Sequence, residues 1–498
     1  MFKIKIPTPV TVLMIVVIIA AICTWLLPAG RFNTLTYESD SFTIQTPGGT
    51  IQAPATQKTL DSLQILVPLE KFVKGDIRKP VSIPGTYHQL TQNGQGIIEI
   101  IQAPVKGIYD TIDIILFVLI IGGFMNVFQQ TGAMEKGLAA LAYRMKGKER
   151  WLIIILGFLF SFAGASYGMA EEALAFYPVM VPLFLAAGYD LIIPVAVLFG
   201  GTQLGTLSSF TNPFSTIIAS NAAGVSWTDG LYGRIIMFVI STAVFIFYIE
   251  RYGKKIKKNP ALSFVRKYDG DIKSPYPLLP LHEQKNGAGI KTNLLLLLFL
   301  STFLIMIAGV VFFEWWLTEM SALFLSSAII IAIITRIKER IFIEKFIKGA
   351  EGLLGVAFII GVARGVTVIL NEGFISDTIV FYSAEAIRNM PSALFIVILL
   401  SLFLVFTLFI SSSSGMAVVT MPIMGSLAIM AGVPGREIVN AYLFGMGIMG
   451  FITPTGMMLP SLALVNVSIK AWIRFIYPLM IILFILCALF LIIGINLK

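Results

Sequence analysis

Cysteine and histidine are scarce in this chain of 498 residues, which contains two of each. Cys23 and Cys487 lie in apolar runs near opposite ends, so we interpret both as small buried side chains and predict no disulfide. His88 and His282 are isolated in polar segments. No cysteine–histidine cluster is therefore present to hold a transition metal. The sequence predicts no organic cofactor and no metal beyond Na⁺, which with H⁺ remains a candidate coupling ion.

Charged residues are also few. They make up 13% of the chain, against 57% for hydrophobic residues, and the mean hydropathy is +0.88. This composition excludes an ordinary soluble domain and indicates a polytopic membrane protein. No GxxxxGK[ST] motif occurs, which argues against ATP as the energy source. No histidine, cysteine or close aspartate pair accompanies a nucleophile within the apolar runs, which argues against an enzyme.

The positive charge is concentrated in a few short loops. The net charge is +9, and the basic residues cluster at 144–150, 250–258 and 335–348 and at the turn with Lys470 and Arg474. Because basic loops stay on the cytoplasmic side, we interpret the charge as membrane topology. The predicted partner is a lipid bilayer, not nucleic acid, and the predicted location is the bacterial cytoplasmic (inner) membrane.

The apolar runs predict an all-α polytopic protein with about nine transmembrane helices. Residues 30–106 mix charges with threonine, glycine and proline, which is typical of an external loop with strands and turns. Short amphipathic helices on the membrane surface are expected at 133–145, 336–348 and 376–390. The predicted spans are 10–28, 112–131, 192–222, 231–250, 292–312, 319–335, 350–370, 436–463 and 471–495.

Two further apolar segments do not fit this topology as full crossings. If 150–190 crossed once, the basic loop at 250–258 would face the wrong side of the membrane. We therefore predict a re-entrant hairpin at 150–190 with its tip at 164–172, and a second at 391–434 with its tip at 411–415. Irregular backbone at membrane depth is tolerated where it is buried in protein or lines a wet cavity.

The two halves of the chain repeat the same motifs in the same order. Gly-Met-Ala occurs at 168–170 and 415–417, and Phe-Gly precedes a glycine five residues on at 199–205 and 444–450. The halves have opposite predicted orientations, which indicates an inverted-topology repeat, as in many secondary transporters. The predicted domains are an N-terminal helix and external loop (1–111), the first repeat (112–258), a cytoplasmic loop with linking helices (259–349) and the second repeat (350–498).

In each repeat the helix after the hairpin has a polar interruption. The broken helices are predicted at 192–222, with the sequence GTLSSFTNPFS, and at 436–463, with GFITPTGMMLP. Proline ends regular helix there, and exposed carbonyls and hydroxyls bind ions or a carboxylate. The alternative is a proline kink whose hydroxyls bond back to the helix. The candidate ion-binding residues are Ser208, Thr211, Asn212, Gly415 and Gly456.

Three charges lie within apolar sequence: Glu171, Glu172 and Arg364. A charge at membrane depth is costly, so each is a functional candidate. One glutamate is expected to pair with Arg364 and the other to face a cavity; alternatively, Arg364 clamps a substrate carboxylate. A purely structural role for the pair is the competing interpretation. The candidate substrate-binding residues are Ser166, Glu171, Glu172, Asn212, Arg364, Ser411, Ser412, Ser413, Ser414, Thr453 and Thr455.

These motifs resemble a known family. GMAEE followed by YP and GYD, then TNPF and ASNAAG, then IIGVARG, resemble the YfcC-like branch of the four-carbon dicarboxylate anaerobic carrier family, within the ion transporter superfamily. The resemblance covers nearly the whole chain. It implies two re-entrant hairpins, a substrate site between their tips, a scaffold that forms a homodimer, and an elevator-like movement.

The resemblance leaves the substrate open between two classes. Two acids against one arginine favour a basic amino acid, as in arginine/ornithine exchange, over a dicarboxylate or other carboxylate coupled to Na⁺ or H⁺. Either substrate makes the protein a secondary active transporter of a small carboxylate-bearing metabolite. An ion channel is the competing class, because re-entrant segments rich in serine and threonine also form selectivity filters.

Overall fold

The fold is described from a computed structural model. It covers residues 9–496 except 39, 66–67, 74–79, 135, 138–147, 167, 272, 277–289, 314, 316, 388–389 and 431–432. His282 and most of the surface helix expected at 133–145 lie outside the described residues.

The chain begins with an apolar helix, α1 (Pro9–Leu26), and continues into a small β-rich segment. Its strands are β1 (Gly30–Arg31), β2 (Thr34–Glu38), β3 (Ser41–Thr46), β4 (Gly49–Pro54), β5 (Val81–Ser82) and β6 (His88–Gln89). They form a two-stranded sheet, β1–β6, and a four-stranded antiparallel sheet in the order β4–β3–β2–β5. Two short helices, α2 (Gln57–Ser62) and α3 (Leu69–Val73), accompany them.

The four-stranded sheet has its own small core. Leu35 on β2 pairs with Ile44 on β3, and buried Leu35 and Phe42 pack with Phe72 and Val81. Strands alternate inward and outward side chains, so one face of the sheet is apolar while the other is threonine- and glutamine-rich. The predicted strand and turn character of 30–106 is confirmed.

An additional helix ends this segment. The external loop was expected to continue to residue 106, but residues Ile97–Asp110 form helix α4. Pro104 and Gly107 lie inside α4, and both residue types disfavour helix interiors, so the sequence did not indicate a helix. Gly107 is required by packing, because a Cβ atom there would lie 2.2 Å from the carbonyl oxygen of Gly361.

The remaining helices follow in chain order. They are α5 (Ile112–Gln129), α6 (Arg150–Ser166), a 3-10 helix (Glu171–Phe176), α7 (Tyr177–Ala186), α8 (Ile192–Leu207), a π-helix (Pro213–Ile217), α9 (Ile218–Ala222), α10 (Leu231–Lys258), α11 (Phe264–Asp269), α12 (Ile290–Phe313), α13 (Leu317–Thr335), α14 (Glu339–Glu372), α15 (Ser376–Ile387), α16 (Ser392–Phe409), α17 (Ser413–Met430), α18 (Gly435–Gly450), α19 (Met458–Val465) and α20 (Ile469–Asn496).

Among the described residues, six helices are long and apolar enough to cross a membrane: α5, α10, α13, α14, α16 and α20. The mainly helical polytopic fold is therefore confirmed. Helix α16 meets this criterion although it was expected to be a hairpin arm. Helix α7, with 10 residues, is about 15 Å long and too short to cross a hydrocarbon core of about 30 Å. The number of crossings and the re-entry of both hairpins stay predictions.

One surface helix was predicted wrongly. The basic segment 336–348 was expected to form a separate helix before a span at 350–370, but Glu339–Glu372 is one continuous helix, α14. Gly349 at the expected boundary does not end the helix, because it packs against α5, where a Cβ would lie 2.2 Å from the Gly122 carbonyl oxygen. The predicted helix at 376–390 corresponds to α15.

The helices form two groups. In the first, α14 packs along α1, α4 and α5, and α13 packs on α5 and α12. In the second, α6 packs on α8 and α10, and α16 packs on α18 and α20. Two contacts in the second group correspond between the repeats: α7 packs against α19, and α17 packs against α9. The second helix of each predicted hairpin therefore packs against the second half of the other repeat's predicted broken helix.

Candidate functional site

The break between α6 and α7 has a conformation that depends on glycine. Gly168 has φ of +85°, in the left-handed region, and a Cβ there would lie 2.6 Å from Asn212 Oδ1. Glycine therefore serves both the backbone turn and the close approach of the Asn212 amide. The predicted tip at 164–172 corresponds to this break between helices.

The polar interruption after α8 is tied to the end of α6. Thr211 Oγ1 donates to the Ser166 carbonyl oxygen at 2.9 Å, and Asn212 Nδ2 donates to the Gly164 carbonyl oxygen at 3.2 Å. Asn212 Oδ1 also accepts from the Phe214 backbone N–H, which caps the following π-helix. These groups satisfy the carbonyls that the end of α6 leaves without helical partners.

Other hydroxyls at this interruption bond within it or along the helix. Ser208 Oγ donates to the Leu204 carbonyl oxygen at 2.9 Å, and Ser166 Oγ donates to that of Phe162 at 2.7 Å. The hydroxyls of Ser209 and Thr216 are hydrogen-bonded to each other, and both side chains are fully buried. For Ser208, the observed bond is the one that the alternative interpretation expects, in which hydroxyls of the broken helix bond back to it.

The two adjacent glutamates have different environments. Glu172 is buried, and its Oε2 accepts from the Ala170 backbone N–H at 2.9 Å. Among the described ion pairs, none joins Glu171 or Glu172 to a cation within 4 Å. The 3-10 helix that carries both residues packs against α5. Glu172 therefore supports the backbone of its own turn, whereas the side chain of Glu171 is only partly buried.

The expected pairing of Arg364 with a glutamate of this turn is wrong. Arg364 Nε lies 3.5 Å from Asp110 Oδ2, at the end of α4. The nearby pair of Lys106 Nζ and Glu372 Oε1, at 2.7 Å, also joins α4 to α14. Because α4 was not predicted, neither Asp110 nor Lys106 could be recognised from the sequence as a neighbour of α14. Arg364 retains guanidinium donors beyond Nε for another ligand.

The second hairpin tip also lies between two helices. Residues 410–412 separate α16 from α17, and Ser412 Oγ accepts from the Gly415 backbone N–H at 3.2 Å. Ser413 lies at the first position of α17, where its carbonyl oxygen accepts from Tyr442 Oη at 2.8 Å. Ser411 lies in the break, and Ser414 lies in the first turn of α17.

The interruption after α18 is tied to the second hairpin. Thr455 Oγ1 lies 3.4 Å from the carbonyl oxygen of Leu408, close to the end of α16. Thr211 makes the corresponding contact with the end of α6 in the first repeat. Thr453 bonds back to the Met449 carbonyl oxygen, and Gly456 N–H donates to the Thr453 carbonyl oxygen.

A cavity of about 360 Å³ lies beside the second tip. The end of α14, the start of α15 and the β-rich segment complete its walls. Arg364, Ser412 and Gly415 line it, which brings together three of the predicted site residues. Its other lining residues are Gly30, Arg31, Thr34, Pro80, Ser82, Thr367, Asn371, Phe374, Ser376, Asp377, Ile410 and Val419.

The cavity contains two arginines and one aspartate. The Arg31 guanidinium carbon lies 5.6 Å from the centre of the Phe374 ring. Asp377 Oδ2 accepts from the Phe32 backbone N–H at 3.0 Å. Burial raises the pKa of Asp377 above its usual range, and the Phe32 bond and the Arg31 charge oppose that rise. The cavity therefore offers cationic donors and a carboxylate together.

The sequence did not identify Arg31, Asn371 or Asp377 as cavity residues. They come from three separate segments, and only the pairing of β1 with β6 and the turn between α14 and α15 bring them to one place. The remaining predicted residues do not line this cavity: Ser166, Glu171, Glu172, Ser208, Thr211, Asn212, Ser411, Ser413, Ser414, Thr453, Thr455 and Gly456. Among the described residues, no group of three histidine, cysteine, aspartate or glutamate side chains is placed to hold a metal ion.

The comparison with protein families decides the class. Residues 6–496 match the model of the C4-dicarboxylate anaerobic carrier family, DcuC. The chain belongs to this family. The match covers almost all of the chain, so the protein is a multi-pass membrane transporter of the DcuC/YfcC type.

Two relatives show how this member of the C4-dicarboxylate anaerobic carrier family compares. A Haemophilus influenzae protein described as uncharacterized is 37% identical over 99% of this chain and 97% of its own length. Escherichia coli YfcC, provisionally named a basic amino acid antiporter, is 29% identical over 94% of this chain and 92% of its own. The resemblance to the YfcC-like branch is thereby confirmed.

Two solved transporter structures are also similar to this family member. Alcanivorax borkumensis YdaH has a TM-score of 0.40 and 14% identity, with 98% of both chains covered. Neisseria gonorrhoeae MtrF, described as an antimetabolite efflux pump, has a TM-score of 0.40 and 15% identity, with 99% of this chain and 96% of its own covered. Both scores are too low to establish a shared fold.

Proposed function

We propose that the protein is a secondary active transporter that moves a small carboxylate-bearing metabolite by an elevator-like movement. The proposed cargo is a basic amino acid, in arginine/ornithine exchange across the bacterial inner membrane. The observation that supports this most directly is the cavity shared by Arg364, Ser412 and Gly415.

A carboxylate is well matched to one side of this cavity. The planar guanidinium of Arg364 presents donors suited to a carboxylate, and its partner Asp110 contacts Nε at 3.5 Å. Ser412 supplies a hydroxyl at the same wall, immediately before α17 begins at Ser413. The positive end of the α17 dipole adds a favourable potential for an anion.

The opposite charge in the cavity favours a substrate that also carries a cation. Asp377 lines the cavity with one oxygen bonded to the Phe32 N–H, which leaves acceptor capacity on the carboxylate. A basic amino acid has an α-carboxylate for Arg364 and cationic groups for Asp377. Glu171 remains the second proposed acceptor, for a side-chain cation or for a coupling H⁺.

A dicarboxylate is the second candidate cargo. Arg31 and Arg364 line the same cavity, and two cationic side chains suit two carboxylates. The description of the matched family, a C4-dicarboxylate carrier, agrees with this alternative. Na⁺ or H⁺ would then be the coupling ion, with the polar interruptions after α8 and α18 as its proposed sites.

The two helix groups support a division of the protein into a moving unit and a fixed unit, as an elevator-like movement requires. The proposed moving unit contains both hairpins and both broken helices, α6–α11 and α16–α20. The proposed fixed unit contains α1, α4, α5 and α12–α14, with α14 held to α4 by two ion pairs. The fixed unit is also the proposed homodimer contact. A channel is disfavoured because the two interruptions correspond within one chain and not across subunits.

Ligand binding by the purified protein tests the proposed site. We expect arginine and ornithine to raise the unfolding midpoint of the detergent-solubilised protein, and Arg364→Gln to weaken that binding by roughly tenfold or more, the loss of one charge-assisted pair. Arg251→Gln is the matched control, because Arg251 is exposed on α10 and does not line the cavity. Succinate in place of arginine tests the dicarboxylate alternative.

The outcomes separate the candidates. Stabilisation by arginine and ornithine, but not by succinate, supports the basic amino acid. Stabilisation by succinate alone selects the dicarboxylate. Unchanged binding in Arg364→Gln contradicts the assignment of the carboxylate to Arg364.

A further inference from the structure

Arg31 lines the cavity from a part of the chain that lies outside the proposed moving unit. It lies on β1, where its backbone pairs with His88 on β6, in the segment predicted to be external. Its guanidinium stacks over Phe374. Among the described residues, no carboxylate oxygen lies within 4 Å of its guanidinium nitrogens. Asp377 shares the cavity but lies beyond ion-pair distance of these nitrogens, so the guanidinium donors of Arg31 are available to an anionic ligand.

The backbone on both sides of Arg31 is fixed. The Gly30 N–H donates to the Phe374 carbonyl oxygen at 2.9 Å, and the Phe32 N–H donates to Asp377 Oδ2 at 3.0 Å. Residue 30 is glycine for a steric reason, because a Cβ there would lie 2.1 Å from Tyr87 Oη. Arg31 is thus held against the end of α14 and the start of α15, in one position relative to the cavity.

Tyr87, the aromatic neighbour of Gly30, is held in the same way. Tyr87 stacks on Phe381 of α15, with the ring centres 4.0 Å apart and the planes 7° from parallel. Its hydroxyl is hydrogen-bonded to Thr378 Oγ1 at 2.9 Å. Thr378 Oγ1 also donates to the Pro28 carbonyl oxygen at 2.9 Å. The external segment therefore packs on α15 through the ring and the hydroxyl of Tyr87.

The cavity contains groups from the proposed moving unit and from parts of the chain outside it. Ser412 and Gly415 belong to the second hairpin, whereas Arg31 belongs to the external segment, and β5 of that segment packs against α17. If the hairpin moves inward with its cargo, Ser412 and Gly415 move with it, whereas Arg31 on the external segment and Arg364 on α14 of the proposed fixed unit stay behind. Arg31 then contacts the substrate in one orientation of the carrier and not in the other.

We propose that Arg31 is an outward-side specificity residue, which binds a substrate carboxylate together with Arg364 and Ser412 before the hairpin moves inward. This inference rests on the proposed function, because it needs a carrier that takes its cargo through this cavity. It adds a difference between the two membrane faces: the external face selects for a carboxylate more strongly than the cytoplasmic face. The external segment is then part of the substrate site and not only a cover.

Sided transport kinetics test the inference. Labelled arginine uptake is measured in right-side-out and in inside-out membrane vesicles that contain wild type, Arg31→Gln or Arg31→Lys, with succinate as the second probe. We expect Arg31→Gln to raise the KM at the external face about tenfold, the value of one charge-assisted hydrogen bond, and to leave the KM at the cytoplasmic face unchanged. Arg31→Lys should recover part of the external affinity, because it keeps the charge and loses the planar donor pair.

Lys58→Gln is the matched control. Lys58 is an exposed cation on α2 of the same external segment and does not line the cavity, so its loss should change neither KM. An equal rise at both faces, or no rise in Arg31→Gln, overturns the sided role while leaving the transporter assignment intact. If wild type transports neither probe and neither raises its unfolding midpoint, both this inference and the proposed function are overturned.

Discussion

At the scale of single residues, Asp190 shows how a carboxylate is buried outside the proposed substrate site. It lies between α7 and α8, where Oδ2 accepts from Tyr252 Oη and from Ser263 Oγ, each at 2.6 Å, and Oδ1 accepts from the Ile192 N–H at 3.1 Å. Burial raises its pKa, and these donors oppose the rise. This cluster joins the first hairpin to the predicted cytoplasmic end of α10.

Tyr252→Phe should destabilise the protein in a pH-dependent way. Because the folded pKa of Asp190 lies above the unfolded value, the folded state binds more protons, and the free energy of unfolding falls as pH rises between the two values. Losing the Tyr252 donor makes the charged form costlier still. We expect a loss of about 1–3 kcal/mol at high pH and a smaller loss in acid, measured as the unfolding midpoint from about pH 5 to about pH 8.

Tyr232→Phe is the control for this prediction. Tyr232 lies on the same helix, α10, and its side chain is 82% exposed. It should have no effect at any pH. A loss in Tyr252→Phe that is the same at every pH would contradict the role assigned to the Asp190 charge.

Substitutions should distinguish the roles of Glu171 and Glu172, the two glutamates of the 3-10 helix. Glu172→Gln should leave the unfolding midpoint nearly unchanged, because a Gln carbonyl oxygen still accepts from the Ala170 N–H. Glu172→Ala should lower the free energy of unfolding by about 1 kcal/mol, because the Ala170 N–H loses its acceptor. Glu171→Gln should abolish uptake of a cationic substrate and leave the midpoint unchanged. Normal uptake in Glu171→Gln would exclude that carboxylate from the cation site.

The sequence predicted single residues unevenly, and the reason is physical. Gly168 and Asn212 were recognisable because a glycine and a polar interruption disfavour helix locally. Arg364 was recognised as an intramembrane charge, but its partner was not, because Asp110 belongs to a helix obscured by Pro104. Arg31 and Asp377 were missed because their proximity depends on contacts between segments 345 residues apart, such as the Phe32 N–H bond to Asp377.

At the scale of helices, each repeat has a glycine where the first helix of the predicted hairpin crosses the broken helix. A Cβ at Gly205 of α8 would lie 2.4 Å from the Ser161 carbonyl oxygen of α6. A Cβ at Gly445 of α18 would lie 2.5 Å from Phe403 Cβ of α16. Both glycines belong to the repeated motifs, Gly205 as the later glycine of 199–205 and Gly445 as the Phe-Gly glycine of 444–450. Both allow the first helix of a predicted hairpin to approach the broken helix that follows it.

Gly205→Ala and Gly445→Ala should each lower the unfolding free energy by about 1–3 kcal/mol, because the added methyl group forces the two helices apart. Unfolding midpoints of the purified variants measure the effect. Gly355→Ala is the matched control, since no atom lies within 4 Å of the added Cβ in α14. It should be neutral or stabilising by up to about 1 kcal/mol, from the better helix propensity of alanine. Equal effects at all three positions would show that helix propensity, and not close packing, sets the cost.

Helix boundaries were predicted well where a local signal ends a helix. Proline, glycine and polar runs mark the interruptions after α6, α8, α16 and α18, and the structure has a break at each. Helices α4 and α14 were mispredicted for opposite reasons. Pro104 and Gly107 are tolerated inside α4 by its packing on α14. Most of the basic stretch 336–348, which was expected to be a separate surface helix, forms the first part of the continuous helix α14.

At the scale of the whole molecule, an elevator-like movement requires the second hairpin to face each side of the membrane in turn. In a variant with Cys23 and Cys487 replaced by alanine, Ser412→Cys should be labelled by a membrane-impermeant thiol reagent from either side, because the cavity changes its exposure during transport. Ser62→Cys, on exposed α2, is the control and should be labelled from the outside alone. Labelling of Ser412→Cys from one side under all conditions would contradict the elevator-like movement.

The central claim is that the carrier exchanges a carboxylate-bearing cargo, and counterflow in proteoliposomes tests it most directly. Purified protein is reconstituted into vesicles loaded with unlabelled ornithine, and the entry of labelled arginine is followed. We expect labelled arginine to accumulate transiently and saturably, only when ornithine is inside the vesicles, and we expect this accumulation to be lost in Arg364→Gln. A voltage-driven current that does not saturate and does not depend on internal substrate would contradict it and indicate a channel.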